Sequence, residues 1–179
     1  PFLQQVVADQ FQGTPIKGVF MPSLRIVKAG GFYKSQLSAL FTPQLTEVDK
    51  FSLGFNSFVQ LSLPKLLVTG KCAFRNSGQL THFAALNLET LATYCFADCL
   101  NLEVVLAPNA AIEDMAFENC VKLHTISAKT ADFKCKCQKC PKCEERLEQC
   151  LERGKFCTKY VKEYQTEQLD LLKFDLLVI

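Results

Sequence analysis

The chain repeats itself at an interval of 21 residues, and this period constrains its fold more than any other feature. Residues 91–108 read LATYCFADCLNLEVVLAP, and residues 112–126 read IEDMAFENCVKLHTI. A shift of 21 residues places similar side chains in shared columns: Phe96 and Phe117, Cys99 and Cys120, Leu102 and Leu123, Val105 and Ile126. A fixed period of about 20 to 50 residues is typical of solenoids, in which each repeat forms one coil.

The period continues toward the N-terminus in steps of 21 or 22 residues. The column of Leu102 runs back through four apolar residues, which are Leu80, Phe58, Leu37 and Ile16. We therefore predict six coils with one short strand each, near residues 17–21, 38–42, 59–63, 81–85, 103–107 and 124–128. Because one coil cannot bury its own apolar face, stacked coils are expected to share buried columns, one of them formed by Phe74, Phe96 and Phe117.

The column that holds Cys99 and Cys120 changes character toward the N-terminus. Steps of 21 or 22 residues lead from Cys99 to Ser77 and then to Phe55, Lys34 and Gly13. The repeat pattern is therefore weaker in the first three coils than in the last three.

The two clearest repeats resemble the BspA-like leucine-rich repeat family, whose unit reads roughly I-x-x-x-A-F-x-x-C-x-x-L-x-x-I-x-I-P. The second copy matches this unit at Ile112, Ala116, Phe117, Cys120, Leu123 and Ile126. The resemblance implies an α/β or mainly-β solenoid, with one short parallel strand per 21–22-residue turn, that binds proteins and performs no catalysis. Modules of that family are associated with surface attachment.

The composition changes abruptly after Thr130, which predicts two parts. Residues 1–130 are expected to form the solenoid, and residues 131–179 a Cys-rich helical tail that caps its C-terminal end. A helix is predicted from Lys142 to Arg153 with Gly154 as its stop, because Cys143, Leu147, Cys150 and Leu151 recur at helical spacing. A second helical stretch is expected from Lys155 to about Gln168, followed by a strand or anchoring tail over residues 169–179.

One side of the predicted strands is the expected contact surface. Side chains alternate between the two sides of a strand, so the neighbours of the buried positions point outward. The partner-binding residues predicted in this way are Phe20, Phe41, Gln60, His82, Leu106 and Thr125. Aromatic groups beside small polar ones on a rigid scaffold suit a protein or peptide ligand. The alternatives are surface positions without a partner and positions covered by the tail.

Four cysteines of the tail stand within nine residues: Cys135, Cys137, Cys140 and Cys143. Their spacing lets several thiolates reach one metal ion, and zinc is a metal that such a set of sulfur ligands binds. Disulfides with Cys150 or Cys157 are the competing interpretation, because cysteine-dense segments are typical of secreted chains. Unpaired thiols are the third.

The sequence shows no grouping of catalytic residues. Cys72, Cys95, Cys99 and Cys120 belong to the repeats and are expected to behave as small buried apolar residues. A catalytic thiol needs a base, and the two histidines, His82 and His124, lie on predicted strands two turns apart, which separates them by roughly 10 Å. No phosphate-binding loop or metalloprotease motif is present in the sequence. We therefore predict a non-catalytic binding protein.

The net charge and the length of the apolar runs limit the classes of partner that this chain can bind. A net charge of +2 gives no general attraction to nucleic acid or anionic lipid, and the lysines between the tail cysteines are interpreted as a solvated charge run. No apolar run is long enough to span a membrane. Since the chain begins with Pro1 and shows no signal peptide, we interpret it as a fragment or a processed product. Its localisation stays open between the cell surface and the cytoplasm.

Overall fold

Short parallel strands form most of the regular structure in a computed structural model that describes residues 3–157. The elements in chain order are β1 Gln5–Val6, β2 Gly18–Phe20, β3 Ile26–Val27, β4 Ala39–Phe41, β5 Glu47–Val48, β6 Gln60–Ser62, β7 Val68–Thr69, β8 His82–Ala84, β9 Thr90–Leu91, β10 Val104–Ile112, β11 Thr125–Thr130 and α1 Leu147–Cys157. Every pairing among the described strands is parallel and joins strands one coil apart. The predicted solenoid of parallel strands is therefore confirmed.

The strands predicted from the sequence form a first ladder, made of β2, β4, β6, β8, the beginning of β10, and β11. The register advances by 21 residues from Gly18 to Ala39 and by 22 residues from Gln60 to His82. β2 and β4 pair as a separate two-stranded sheet, whereas the later strands of the ladder belong to the large sheet. The positions of the six predicted strands are confirmed.

A second ladder, which the sequence analysis did not identify, consists of β1, β3, β5, β7, β9 and the end of β10. Apart from β10, its strands have two residues each, such as Ile26–Val27 paired with Glu47–Val48. Two residues are too few to show the alternation by which strands are recognised in a sequence. β10 pairs with β8 near its start and with β9 near its end, so it joins the two ladders.

Tight outer turns close each coil opposite the first ladder and contain two residues with left-handed backbone. Their φ angles lie between 55° and 68°, and they recur one coil apart: Asp9, Gly30, Phe51, Cys72, Tyr94 and Met115, then Gly13, Lys34, Phe55, Asn76, Asp98 and Asn119. Left-handed backbone costs about 1–2 kcal/mol for a residue other than glycine. Backbone N–H groups between these positions donate to the next coil, for example Phe32 to Ser52 O at 2.8 Å, and so hold the turns in place.

The core is built from the predicted columns. Phe74, Phe96 and Phe117 are fully buried, and their rings stack nearly parallel with centroids 5.2 Å and 6.1 Å apart. Phe83, from β8, packs its ring against Phe96 at 4.8 Å and so connects the outer turns to the first ladder. The predicted phenylalanine column is confirmed.

The column of Cys99 and Cys120 corrects the sequence alignment. Its buried N-terminal members are Ser77, Asn56 and Ser35, whereas Phe55, Lys34 and Gly13, assigned to it from the sequence, occupy left-handed positions one residue earlier. Two residues separate Ser77 from Leu80, whereas one residue separates Asn56 from Phe58. The step from Leu80 back to Phe58 is therefore 22 residues, but the step from Ser77 back to Asn56 is 21, and the assignment was wrong because it used 22 for both.

Several members of this column, but not Ser77, share a role that the repeat pattern did not show. Asn56 Nδ2 donates to Phe32 O at 2.9 Å, Cys99 Sγ to Phe74 O at 3.2 Å, and Cys120 Sγ to Phe96 O at 3.1 Å. Each donor therefore gives a second hydrogen bond to a carbonyl of the preceding coil, which also accepts from a backbone N–H of its own turn. A cysteine in the family-like repeat serves here as a hydrogen-bond donor as well as a buried side chain.

The helix at the C-terminal end differs from its prediction at both ends. α1 begins at Leu147 instead of Lys142, so Cys143 lies outside it, and it continues through Gly154 to Cys157. Gly154 is not a stop: it is buried, and a β-carbon added there would lie 2.0 Å from the carbonyl oxygen of Ile126. The rest of the predicted second helix and the segment 169–179 lie outside the described residues. No helix in residues 3–157 has the length and apolar character of a membrane span.

Candidate functional site

The predicted strand face is open at its N-terminal end. Phe20 is 55% exposed, and its ring stacks on that of Phe41 with centroids 5.0 Å apart and planes within 6°. Gln60 is exposed, and His82 pairs with it one coil away. We use the name strand face for these four residues, which present aromatic and polar groups on consecutive coils.

The C-terminal end of the predicted surface is covered. Leu106 is 7% exposed and Thr125 is 4% exposed. Leu106 packs on Ala84 in a small cluster that Cys157, the last residue of α1, borders. Two of the six predicted contact residues are therefore buried, and the side-chain alternation could not show this because the covering residue is far away in the sequence.

His82 is a neutral polar group of the strand face at pH 7. Burial lowers its pKa from the ordinary value, and His124 acts in the same direction, while the carboxylate of Glu103 partly opposes the shift. Its Nδ1 lies 2.9 Å from the hydroxyl oxygen of Thr81. A neutral ring can both donate and accept hydrogen bonds, which suits recognition of a peptide backbone.

The cysteines of the repeats are buried, as the sequence analysis expected. Burial raises the pKa of Cys95 to about 12 and that of Cys99 even further. A thiol that stays protonated at neutral pH is a poor nucleophile. These residues therefore contribute to packing and hydrogen bonding.

The four tail cysteines converge on one point. The sulfur atoms of Cys135, Cys137, Cys140 and Cys143 all lie within 4.8 Å of one another, and Cys137 Sγ is 3.9 Å from Cys143 Sγ. A tetrahedral ion with sulfur ligands at about 2.3 Å places its sulfurs about 3.8 Å apart. All ten cysteines are free thiols in the structure. This cluster, called here the four-cysteine cluster, could hold a metal ion.

Backbone N–H groups lower the pKa of one cysteine in the cluster. Burial raises the pKa of Cys137, but N–H groups of Asn119, Lys139 and Cys140 outweigh it and lower the pKa to about 6. The N–H of Cys140 lies 3.3 Å from Cys137 Sγ. Burial raises the pKa of Cys135 to about 11. Cys137 therefore loses its proton more readily than a free cysteine, and a bound cation would further favour deprotonation of the thiols around it.

Contacts with the last coil hold the cluster in place. Phe133 is buried with its ring against Phe117, at a centroid distance of 5.9 Å. Met115 N donates to Lys134 O, and Lys134 N donates to Asp114 Oδ1, both at 2.8 Å. Cys140 is fully buried. The segment therefore continues the stack of outer turns beyond the sixth coil.

A groove of about 810 Å³ lies on the second ladder, where the sequence analysis predicted no site. Its lining includes Asn87, Glu89, Asn109 and Lys129. Leu67, also in the lining, and its neighbour Val68 are 39% and 46% exposed. Its lining comes from residues just before β7 and β9 and from the ends of β10 and β11, and it was missed because the second ladder was not identified from the sequence.

Comparison with known proteins identifies the repeat. A family model described as the BspA type leucine rich repeat region matches six copies over residues 4–124. Among solved structures, the pneumococcal vaccine antigen PcpA is similar, with a TM-score of 0.49 and 20% sequence identity, over 74% of this chain and 31% of that chain. The present chain thus spans about a third of the length of that antigen. No curated protein matches the chain.

Proposed function

The chain belongs to the BspA-type leucine-rich repeat family, and we propose that it binds a protein or peptide partner, without catalysis, through its strand face. The observation that carries this proposal is the stacked pair Phe20 and Phe41, left open on a rigid parallel ladder. Aromatic side chains that are already held in place lose little freedom on binding and dominate many interfaces. The family association with surface attachment agrees with a binding role.

Polar neighbours of the aromatic pair extend the proposed surface. Gln60 and His82 lie next to each other on β6 and β8 and supply hydrogen-bonding groups on the two coils that follow the aromatic pair. Leu106 and Thr125 are left out, because both are buried. The proposed contact surface is therefore the N-terminal and central part of the surface predicted from the sequence.

The double substitution of Phe20 and Phe41 by serine is expected to weaken binding about 10- to 100-fold, since central aromatic anchors typically contribute about 2 kcal/mol or more. The probe is a peptide selected on the unaltered chain from a random display library, and the measurement is its Kd by calorimetry. Phe20 is largely exposed, so the substitution should leave the fold intact.

The matched control replaces Leu67 and Val68 by serine. These are likewise exposed apolar residues, but they lie at the second ladder beside the groove. Their substitution is expected to leave the Kd within about twofold. If it instead abolishes binding while the Phe20 and Phe41 variant binds normally, the groove is the contact surface and the proposal is wrong.

A second candidate function is metal binding, and we propose that the four-cysteine cluster holds one zinc ion. The convergence of four sulfur atoms favours this over disulfides, because a bridge brings together only two sulfurs, at about 2.05 Å. Four cysteines are a common ligand set of structural zinc. The N–H groups directed at Cys137 are the outer contacts that commonly support zinc thiolates.

Protein purified without chelator is expected to contain one zinc per chain by elemental analysis, and the double variant Cys137→Ser/Cys140→Ser to contain none. Cys157→Ser is the control, because Cys157 lies outside the cluster on α1 and should leave the zinc content unchanged. Native mass spectrometry would detect the contrary outcome. A chain without metal, whose mass is reduced by the hydrogens lost in forming two bridges, would establish disulfides instead.

A further inference from the structure

Helix α1 covers the open edge of the last strand. Beyond β11 the described residues contain no further strand, and the carbonyls of Leu123, His124 and Ile126 face α1 and the residue before it. Arg146 Nη1 donates to Leu123 O at 3.3 Å, and Arg153 Nη1 donates to His124 O at 3.2 Å. Gly154 packs its backbone on the carbonyl of Ile126. α1 thus occupies the place of a seventh coil on the first ladder.

The described part of α1 docks through a small number of apolar side chains. In its described part, Leu147–Cys157, the buried residues are Leu147, Cys150 and Gly154, and Leu151 is partly buried against the core. Few apolar groups therefore leave water when this part docks. Phe156, its largest apolar side chain, is 80% exposed. The docking of α1 therefore depends on the segment that precedes it.

That segment is the four-cysteine cluster, and hydrogen bonds lead directly from the cluster to the helix. Glu144 N donates to Cys140 O at 3.0 Å, and Arg146 N donates to Pro141 O at 2.8 Å. No helix or strand lies between Thr130 and Leu147, so no regular secondary structure orders this part of the chain. The direction in which α1 begins is thus set by the conformation of Cys140–Cys143.

We propose that metal binding by the four-cysteine cluster and docking of α1 on β11 are one coupled event, so that residues 131–157 form a metal-dependent cap of the solenoid. This inference rests on the metal site proposed above. Loss of the ion removes the bonds that hold four residues of the segment together, and α1 then leaves the edge of β11. An uncovered parallel edge is a template for pairing with other chains, which solenoids prevent with terminal caps.

Hydrogen exchange of the full chain tests the coupling directly. After removal of zinc with a chelator, the amides of residues 144–157 are expected to exchange at least about tenfold faster, because their bonds open with the cap. Amides of β6 and β8, in the middle of the solenoid, should keep their rates. Unchanged exchange in α1 after complete loss of a stoichiometric ion overturns the inference.

Reciprocity supplies a second test that leaves every cysteine in place. If the ion favours docking, then undocking must weaken ion binding by the same factor. Gly154→Val places a side chain where a β-carbon would already lie 2.0 Å from Ile126 O, so it forces α1 away. We expect zinc affinity, measured by competition with a chromogenic chelator, to fall about tenfold or more.

The matched control is Glu152→Val, which introduces the same β-branched residue at an exposed position of α1. Its zinc affinity should stay within about twofold of the original, since it changes helix propensity but not docking. Equal affinities for Gly154→Val and the unaltered chain would refute the coupling while leaving the zinc site intact. A chain that binds no zinc in either form would instead refute the site itself.

Discussion

Replacing Phe96 by alanine lowers the free energy of unfolding by about 3–5 kcal/mol, the usual cost of removing a buried phenyl ring. Phe96 is fully buried between Phe74 and Phe117, and it also contacts Phe83. The cavity would open between three consecutive coils, and these cannot move closer because their backbones are joined by hydrogen bonds such as Phe96 N to Ala116 O at 2.9 Å.

Denaturant unfolding followed by circular dichroism measures this loss, with Leu100→Ala as the control. Leu100 lies in the same coil but is 51% exposed, so its substitution should change the free energy of unfolding by no more than about 0.5 kcal/mol. A loss below about 1 kcal/mol for Phe96→Ala would show that the column is not a shared core, which contradicts the stacking that defines the fold.

Asn56→Ala is expected to cost about 2–4 kcal/mol, although the residue is polar and small. Asn56 is 3% exposed, and its Nδ2 donates to Phe32 O at 2.9 Å and to Leu53 O at 3.0 Å, while its Oδ1 accepts from Leu37 N at 2.9 Å. Alanine removes the partners of the buried Leu37 N and Leu53 O, while Phe32 O keeps its bond from Ser35 N, and each buried group left without a partner costs about 1–3 kcal/mol. The loss is measured by the same unfolding experiment.

Two further variants show whether hydrogen bonding causes that loss. Asn109→Ala removes a side chain that bonds Leu86 O at 2.9 Å but is exposed, so water replaces it at a cost of at most about 0.5 kcal/mol. Asn56→Ser keeps one donor, as Ser35 does one coil earlier, and should recover part of the stability. Equal losses for Asn56→Ser and Asn56→Ala would indicate a packing effect instead.

The repeating part of the fold was predictable because neighbouring coils meet through equivalent residues. Once Phe96 and Phe117 are placed 21 residues apart, the same offset pairs Val104 with Thr125 and stacks the aromatic rings. The offset fails where a coil gains a residue. Because of the extra residue between Ser77 and Leu80, the sequence alignment assigned Phe55 to the column of Cys99 and Cys120. The structure places Asn56 there, as its burial shows.

The candidate sites were predictable in part. Alternation along the strands identified the aromatic pair Phe20 and Phe41, which stack in the structure, with Phe20 exposed and Phe41 partly exposed. It also selected Leu106 and Thr125, which are buried. Cysteine spacing identified the members of the four-cysteine cluster, but spacing alone left disulfides and metal binding open, because the distances between sulfur atoms depend on how the loop folds back.

The amino-acid sequence by itself determined that the chain is a solenoid, which residues form its phenylalanine column, and which cysteines stand close enough along the chain to share a ligand. The tertiary structure alone decided which outward residues stay exposed and where α1 ends the stack. The physical reason is that contacts between coils recur at one interval and so leave a pattern in the sequence. The tail makes each of its contacts once and at varied separations along the chain, such as Cys150 Sγ with Leu123 O and Cys157 with the cluster of Ala84 and Leu106, and a contact made once leaves no period to recognise.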